Sequence, residues 1–105
     1  MTEADIQRKI IEKCEQLGCL VIKIIRANKS GIPDLLILIP GGKAVFVEVK
    51  KPGGVLSKLQ KYYIERLRIL GFTAFHTSCP TDAVAMVSRN LPDPMIPPTP
   101  SKSLL

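Results

Sequence analysis

Asp34, Glu48 and Lys50 are the side chains of this sequence whose types and placing best suit catalysis. Asp34 follows Gly31-Ile32-Pro33 and precedes an unbroken apolar run, Leu35 to Ile39, while Glu48 and Lys50 close a second run that begins at Ala44. The Gly41-Gly42 pair between the runs reads as a hairpin turn. Runs of this composition suit strands buried on both faces, where a charge is costly unless it is paired or bound to a metal. Alternation along a strand puts Glu48 and Lys50 on one face and Val47 and Val49 on the other. Two carboxylates and a lysine at one end of a buried hairpin fit a divalent-metal site for phosphodiester hydrolysis. Magnesium or manganese takes hard oxygen ligands, and magnesium keeps several waters, so one or two carboxylates suffice. A lysine two residues beyond a ligand can orient a water or offset developing charge.

Whether the two carboxylates meet depends on register. Paired residue numbers in an antiparallel hairpin sum to a constant, and opposed side chains share a face. A two-residue Gly41-Gly42 loop gives a sum of 83, which sets Asp34 opposite Val49 and away from Glu48. A shared metal needs an even sum, as from a three-residue loop Gly41 to Lys43, or else a bulge near the site. One of these is expected.

The elements around the hairpin follow from periodicity. Thr2 is a good N-cap for a helix that runs to about Leu17 and closes at Gly18. Ile6, Ile10, Cys14 and Leu17 fall on one stripe about 80° wide, and Glu3 projects within about 25° of its centre. Glu3 is either a first-turn acid complementing the helix dipole or an acid aimed at the core. Leu20 to Ile25 reads as a strand broken by Lys23, followed by a polar loop from Arg26 to Gly31. Its Asn28, Lys29 and Ser30 carry donors that could meet a phosphate, though a solvated connector explains them as well. Lys51-Pro52-Gly53-Gly54 forms a second loop, and Ser57 to Leu70 a second helix with Leu59, Tyr63, Leu67 and Leu70 inward. Ser57-x-x-Gln60 matches a capping box, and Gln60 also lies where it might reach a nucleotide or a metal-held water. Lys58 and Lys61 mark either a solvated face or a nucleic-acid track. Thr73 to His76 is a short fourth strand, His76 being read as a hydrogen-bonded strand-end residue. Pro80 to about Asn90 is a third helix, packing on Ala83, Val84 and Val87.

Composition bounds the function. A chain of 105 residues with 46% hydrophobic residues suits one domain with one core. The expected division is a single domain over 1–91 and a Pro/Ser-rich tail over 92–105. Fifteen basic against nine acidic residues give +6, a balance that favours polyanions, nucleic acid first. No apolar run approaches the ~18 residues that span a membrane. Glu3 and Asp5 stand where a secretory signal would be basic and then apolar. Cys14, Cys19 and Cys79 have neither zinc nor redox spacing and read as reduced, mostly buried thiols of a cytoplasmic protein. Gly42-Lys43-Ala44 is not a phosphate-binding loop, and one histidine without Gly-x-Ser-x-Gly gives no support to a hydrolase triad.

A lone Glu-x-Lys is weak, but the order Glu3, Gly31-Ile32-Pro33-Asp34, Glu48-Val49-Lys50 resembles the PD-(D/E)xK nuclease superfamily, and most closely its virus-type replication-repair nuclease (VRR-NUC) domain. Thr2-Glu3-Ala4, Pro40-Gly41-Gly42, Lys51-Pro52-Gly53-Gly54 and Leu56-Ser57-x-Leu59-Gln60 extend the likeness over about residues 2 to 90. The resemblance implies that Asp34 and Glu48 bind Mg²⁺ or Mn²⁺ with the Val49 carbonyl, and that Lys50 positions the nucleophilic water. It also implies that Glu3 is the helix acid of the site, ligating directly or through water, and that Gln60 is the motif glutamine. Members of this size are similar to homodimeric enzymes acting on branched DNA such as four-way junctions or flaps. One departure is that Ile64 stands where related nucleases often place a tyrosine, four residues after the glutamine. The expected fold is α/β, order α-β-β-β-α-β-α: a small mixed sheet with a central antiparallel hairpin, flanked by helices. The expected function is metal-dependent DNA endonuclease; a non-catalytic DNA-binding module or a replication and repair accessory subunit is the alternative.

Overall fold

Thr2 opens the first helix, α1 (Glu3–Gln16), by accepting a hydrogen bond from the Asp5 N–H while the Asp5 carboxylate accepts from the Thr2 N–H. This reciprocal cap satisfies two donors that a helix start leaves free. Ile6, Ile10 and Cys14 are buried, whereas Leu17, expected on the same stripe, caps the helix and is exposed. The structure, a computed structural model, describes residues 1–93. Residues 94–105 of the expected tail lie outside the described residues.

Four strands follow the expected order: β1 (Leu20–Lys23), β2 (Leu35–Ile39), β3 (Lys43–Val49) and β4 (Thr73–Thr77). They form one sheet in the order β1-β2-β3-β4. β1 and β2 pair antiparallel, as do β2 and β3, while β3 and β4 are parallel. The helix α2 (Lys58–Ile69) makes the crossover a parallel pair requires, and α3 (Pro80–Arg89) is the last element among the described residues. First-strand pairing stops at Lys23, two residues short of expectation, although the Ile24 N–H still donates to the Asp34 carbonyl at 2.7 Å.

Every strand pair joins even-numbered residues to even-numbered residues, so parity alone names the face. Odd-numbered Leu35, Ile37, Ile39, Val45, Val47 and Val49 are all buried, packed with Ile6, Ile10 and Cys14 of α1 and Ala83 and Val87 of α3. Each such side chain fully withdrawn from water contributes about 1.5–3 kcal/mol, so this face holds the fold together. The even face is looser. α2 covers it over β3 and β4, with Arg68 Nε donating to the Ala74 carbonyl at 2.7 Å. Beyond α2, Leu20, Ile22 and Leu38 are 59%, 41% and 37% exposed. The β2 run is therefore not buried on both faces, because the sheet has helices for only one and a half of them.

Two expectations are corrected here. The hairpin sum is 82, from Ile39↔Lys43 through Leu35↔Val47, so the three-residue loop is Pro40 to Gly42, one residue earlier than Gly41 to Lys43. Pro40 sits at the first central position of the turn, Gly41 follows at φ +95°, and the Gly42 N–H closes on the Ile39 carbonyl. Pro then a positive-φ Gly is the order a type II turn demands. The inward face of α2 also differs: Ile64 is buried, Tyr63 and Leu67 are half-buried, and Leu59 and Leu70 are exposed. Apolar residues surround this helix, so periodicity alone does not choose a face. Gln60 and Ile64, four residues apart, mark the inward side.

Gly31 locks the polar loop against α2. Its φ is +89°, and a Cβ there would lie 2.8 Å from the Leu59 Cβ and 2.9 Å from the Leu59 carbonyl carbon. Gly31→Ala therefore combines backbone strain with a clash that only movement of the α2 start can relieve. A loss of about 2 kcal/mol or more in urea unfolding is expected, and unchanged stability would show that the loop is not held there.

Candidate active site

The sum of 82 continues one step past β2 and sets Asp34 directly opposite Glu48. Both side chains thus rise from the even face, and Lys50, two residues beyond Glu48, rises beside them. Asp34 Oδ2 accepts from the Val49 N–H at 2.9 Å, which anchors the carboxylate at the hairpin end. A strand residue's N–H and C=O point to the same edge, so the Val49 carbonyl faces the Asp34 side as well. Glu48 is 3% exposed. Its Oε2 lies 3.7 Å from Lys50 Nζ and accepts from Gln60 Nε2 at 3.3 Å.

Gln60 completes its capping box and also turns towards the carboxylate pair. Its Oε1 accepts from the Ser57 N–H at 2.8 Å and Ser57 Oγ accepts from the Gln60 N–H, completing the capping box. That bond fixes the amide so that its Nε2 points at Glu48. Glu3, half-buried at the start of α1, reaches the rim of the site, where its Oε2 accepts from the Lys51 N–H at 3.3 Å. Among the described residues no three acidic, histidine or cysteine side chains converge closely enough to ligate one ion. Glu3 is near enough for its charge to act on Glu48.

Burial first, then the Asp34 carboxyl by hydrogen bonding and by charge, push the Glu48 carboxyl up to about 8, with Lys50 opposing the rise and Glu3 adding to it. A carboxyl so placed keeps a proton because Lys50 alone does not offset burial and the neighbouring Asp34, and a hard cation would supply further positive charge. The oxygens of Asp34, Glu48 and Val49 are of the kind magnesium takes. The pH dependence follows from the sign of the shift. The folded state holds a proton that the unfolded chain releases near 4.5, so stability is greatest below that pH and is lost as pH rises towards 8. Melting of the metal-free protein is expected to fall between pH 5 and 8 by an amount worth about a few kcal/mol. Glu48→Gln should flatten the curve, and an equal slope in that variant would assign the loss to another group.

The remaining expected residues divide around this centre. Lys29 and Ser30, with Arg26, line a cavity of about 300 Å³ that Asp34 also borders; Asn28 is exposed in the same loop but is not part of that lining. Lys51 borders a second cavity beside Lys50. Lys58 and Lys61 are exposed on α2. Arg26 and His76 were not expected at the site. Arg26 had a local signal, a cation opening a Ser/Gly loop, whereas His76 is brought in by long-range pairing and had none. Cys14, Cys19 and Cys79 are free thiols, the first two buried, and burial pushes the Cys14 thiol up to about 11.

Residues 2–78 match the model of the VRR-NUC domain, and the chain belongs to that family of nucleases. It is 32% identical over 69 residues to the protein named "Putative nuclease p44" of Acyrthosiphon pisum secondary endosymbiont phage 1, covering 66% of this chain and 74% of that one. A solved VRR-NUC domain superposes with a TM-score of 0.74 at 31% identity, over 84% of this chain and 97% of its own. A second VRR-NUC domain protein gives 0.69 at 18% identity, over 85% and 87%, which bears on the fold alone. The α-β-β-β-α-β-α order and the mixed sheet are those expected. Among the described residues no helix is long and apolar enough to cross a membrane.

Proposed function

We propose that this nuclease hydrolyses DNA phosphodiesters endonucleolytically with Mg²⁺ or Mn²⁺, and prefers branched DNA such as four-way junctions or flaps. The observation that carries the reading is the opposed pair Asp34 and Glu48, with Lys50 Nζ 3.7 Å from the Glu48 carboxylate. Asp34, Glu48 and the Val49 carbonyl would hold the ion, with Glu3 at most a partner through water. When bound, the ion would neutralise the scissile phosphate, acidify a water and stabilise the leaving oxygen. Lys50 holds the attacking water by hydrogen bond and offsets charge that develops at phosphorus. Gln60 keeps Glu48 in its rotamer through the 3.3 Å bond. Asp34 is kept in place by the Val49 N–H. The loop with Asn28, Lys29 and Ser30, together with Lys51, Lys58 and Lys61, supplies positive charge for the backbone.

A homodimer is part of this reading. Leu20, Ile22 and Leu38 leave an apolar strip on the sheet that a second copy could cover. A two-fold dimer would present two sites to the two-fold related strands of a four-way junction. The nuclease domain is taken as residues 1–91 and the Pro/Ser-rich segment 92–105 as an appendage, and the three free thiols suit a reducing cytoplasm. The test is incubation of the purified protein with Mg²⁺ or Mn²⁺ on linear, flapped and four-way DNA. Cutting confined to branched substrates and abolished by chelator is expected. DNA retarded on a gel yet intact in both metals would leave only the binding-module alternative.

A further inference from the structure

We infer that a cavity next to the carboxylate pair, between the 51–54 loop and the start of α3, is a subsite for the DNA phosphate neighbouring the scissile one, with His76 as its positioning residue. The inference rests on the nuclease reading for the word scissile, but its binding test does not. Parallel pairing places His76 beside Glu48, so the imidazole rises from the same even face as Asp34, Glu48 and Lys50. His76 is exposed, and no hydrogen bond or ion pair ties its ring to another described residue. The expected hydrogen-bonded strand-end histidine is therefore not what the fold supplies.

The cavity measures about 260 Å³ and is lined by Lys50, Lys51, His76, Thr77 and Ser78, with Asp82 and a bare glycine wall. Gly53 has φ +82°, and a Cβ on Gly54 would lie 3.0 Å from the Lys51 carbonyl and 3.3 Å from the Lys50 Cβ. Side chains are thus kept out of that wall, and a ligand can approach the backbone. Asp82 is the opposing charge, but it stands in the first turn of α3, where the helix N-terminus offsets it. Two lysines and the N–H of a neutral or charged imidazole outweigh it.

Size and lining select the ligand. The volume falls below the ~300–1,000 Å³ of small-molecule pockets, and no Phe, Tyr or Trp ring lines it for a base to stack on. A metal is disfavoured because Asp82 is the one carboxylate in the lining and Lys50 and Lys51 stand in the same hollow. A phosphodiester fits a small, cation-lined and open hollow. Position then says which one. Nucleophile and leaving oxygen lie on opposite sides of phosphorus in an in-line displacement. Lys50, which orients the water, also borders this cavity. The cavity hence lies on the attacking side, and His76 holds the adjoining phosphate rather than protonating the leaving oxygen. The cavity with Arg26, Lys29 and Ser30 lies across Asp34 from it, so the strand would run from one to the other past the carboxylates.

The test is fluorescence-anisotropy titration of branched DNA without divalent metal, so that nothing is cut. His76→Ala is expected to raise Kd by about three- to tenfold and to flatten the salt dependence by about one phosphate contact. His76→Gln, which keeps an N–H donor, should recover part of the loss. DNA with one neutral methylphosphonate linkage beside the scissile position supplies the decisive arm. On one side of that position it should weaken binding to the parent protein, yet add nothing to His76→Ala. An unchanged Kd in His76→Ala, or a methylphosphonate penalty equal in both proteins, would overturn the subsite. A parent protein that cuts no DNA in Mg²⁺ or Mn²⁺ would overturn the nuclease reading instead, and the His76→Ala and His76→Gln titrations on unmodified DNA, which need no scissile position, would still decide on the cavity.

Discussion

Lys50→Ala is expected to lower cleavage at saturating DNA by about two to three orders of magnitude, with DNA affinity falling by no more than about three- to tenfold, the effect of one phosphate contact. The ammonium group counts most where charge develops, in the transition state, and least in ground-state binding. The competing explanation, a structural ion pair, predicts unfolding instead, because stripping one partner from a buried pair costs about 3–5 kcal/mol. Glu48 changes that estimate here. It keeps its proton near neutral pH and retains Gln60 and Asp34 as neighbours, so losing Lys50 leaves no bare buried anion. Circular dichroism and melting near those of the parent are expected alongside the kinetic loss. A folded Lys50→Ala protein that cuts at the parental rate would sink the mechanism.

What could be read before the fold was known depended on how local the cause was. Both capping boxes, Thr2 with Asp5 and Ser57 with Gln60, are set by residues three apart, although only the second was foreseen as a box. The strand order followed from apolar runs and turn residues. The hairpin had to bring Asp34 and Glu48 together, and parity showed which registers could. Which residue opened the loop depended on Pro40 entering the turn, a single-position choice that alternation does not make. Strand burial on both faces was overestimated, since composition cannot say that α2 reaches over β3 and β4 and leaves β1 and β2 bare. His76 was beyond reach for a different reason. Its pairing with Glu48 spans the whole α2 crossover, and nothing local fixes a register across such a segment. Glu3, expected as an acid of the site, accepts from the Lys51 N–H and is near enough for its charge to act on Glu48, a placement that the helix stripe could only suggest.

Asp34→Asn should abolish Mg²⁺-dependent cleavage while leaving the metal-free protein as stable as the parent or more so. Asparagine keeps an oxygen to accept from the Val49 N–H, now at 2.9 Å from Asp34 Oδ2, so the hairpin end is retained. It also removes the carboxyl that, after burial, does most to raise Glu48, by its hydrogen bond first and then by its charge. Glu48 then titrates lower, and the loss of stability between pH 5 and 8 should shrink. Metal linkage gives a readout independent of turnover: the parent should gain about 2.7 kcal/mol of stability when Mg²⁺ is a hundredfold above its Kd. The variant should gain almost none, with high Mn²⁺ restoring at most part of the cutting. Its metal-free affinity for DNA should rise, since one negative charge facing phosphate has gone. A structural role for Asp34 predicts the reverse on each count, namely lower stability, unchanged affinity and a Mg²⁺ shift equal to that of the parent. If melting in Mg²⁺ is raised equally in both proteins, the ion binds elsewhere and Asp34 is not a ligand.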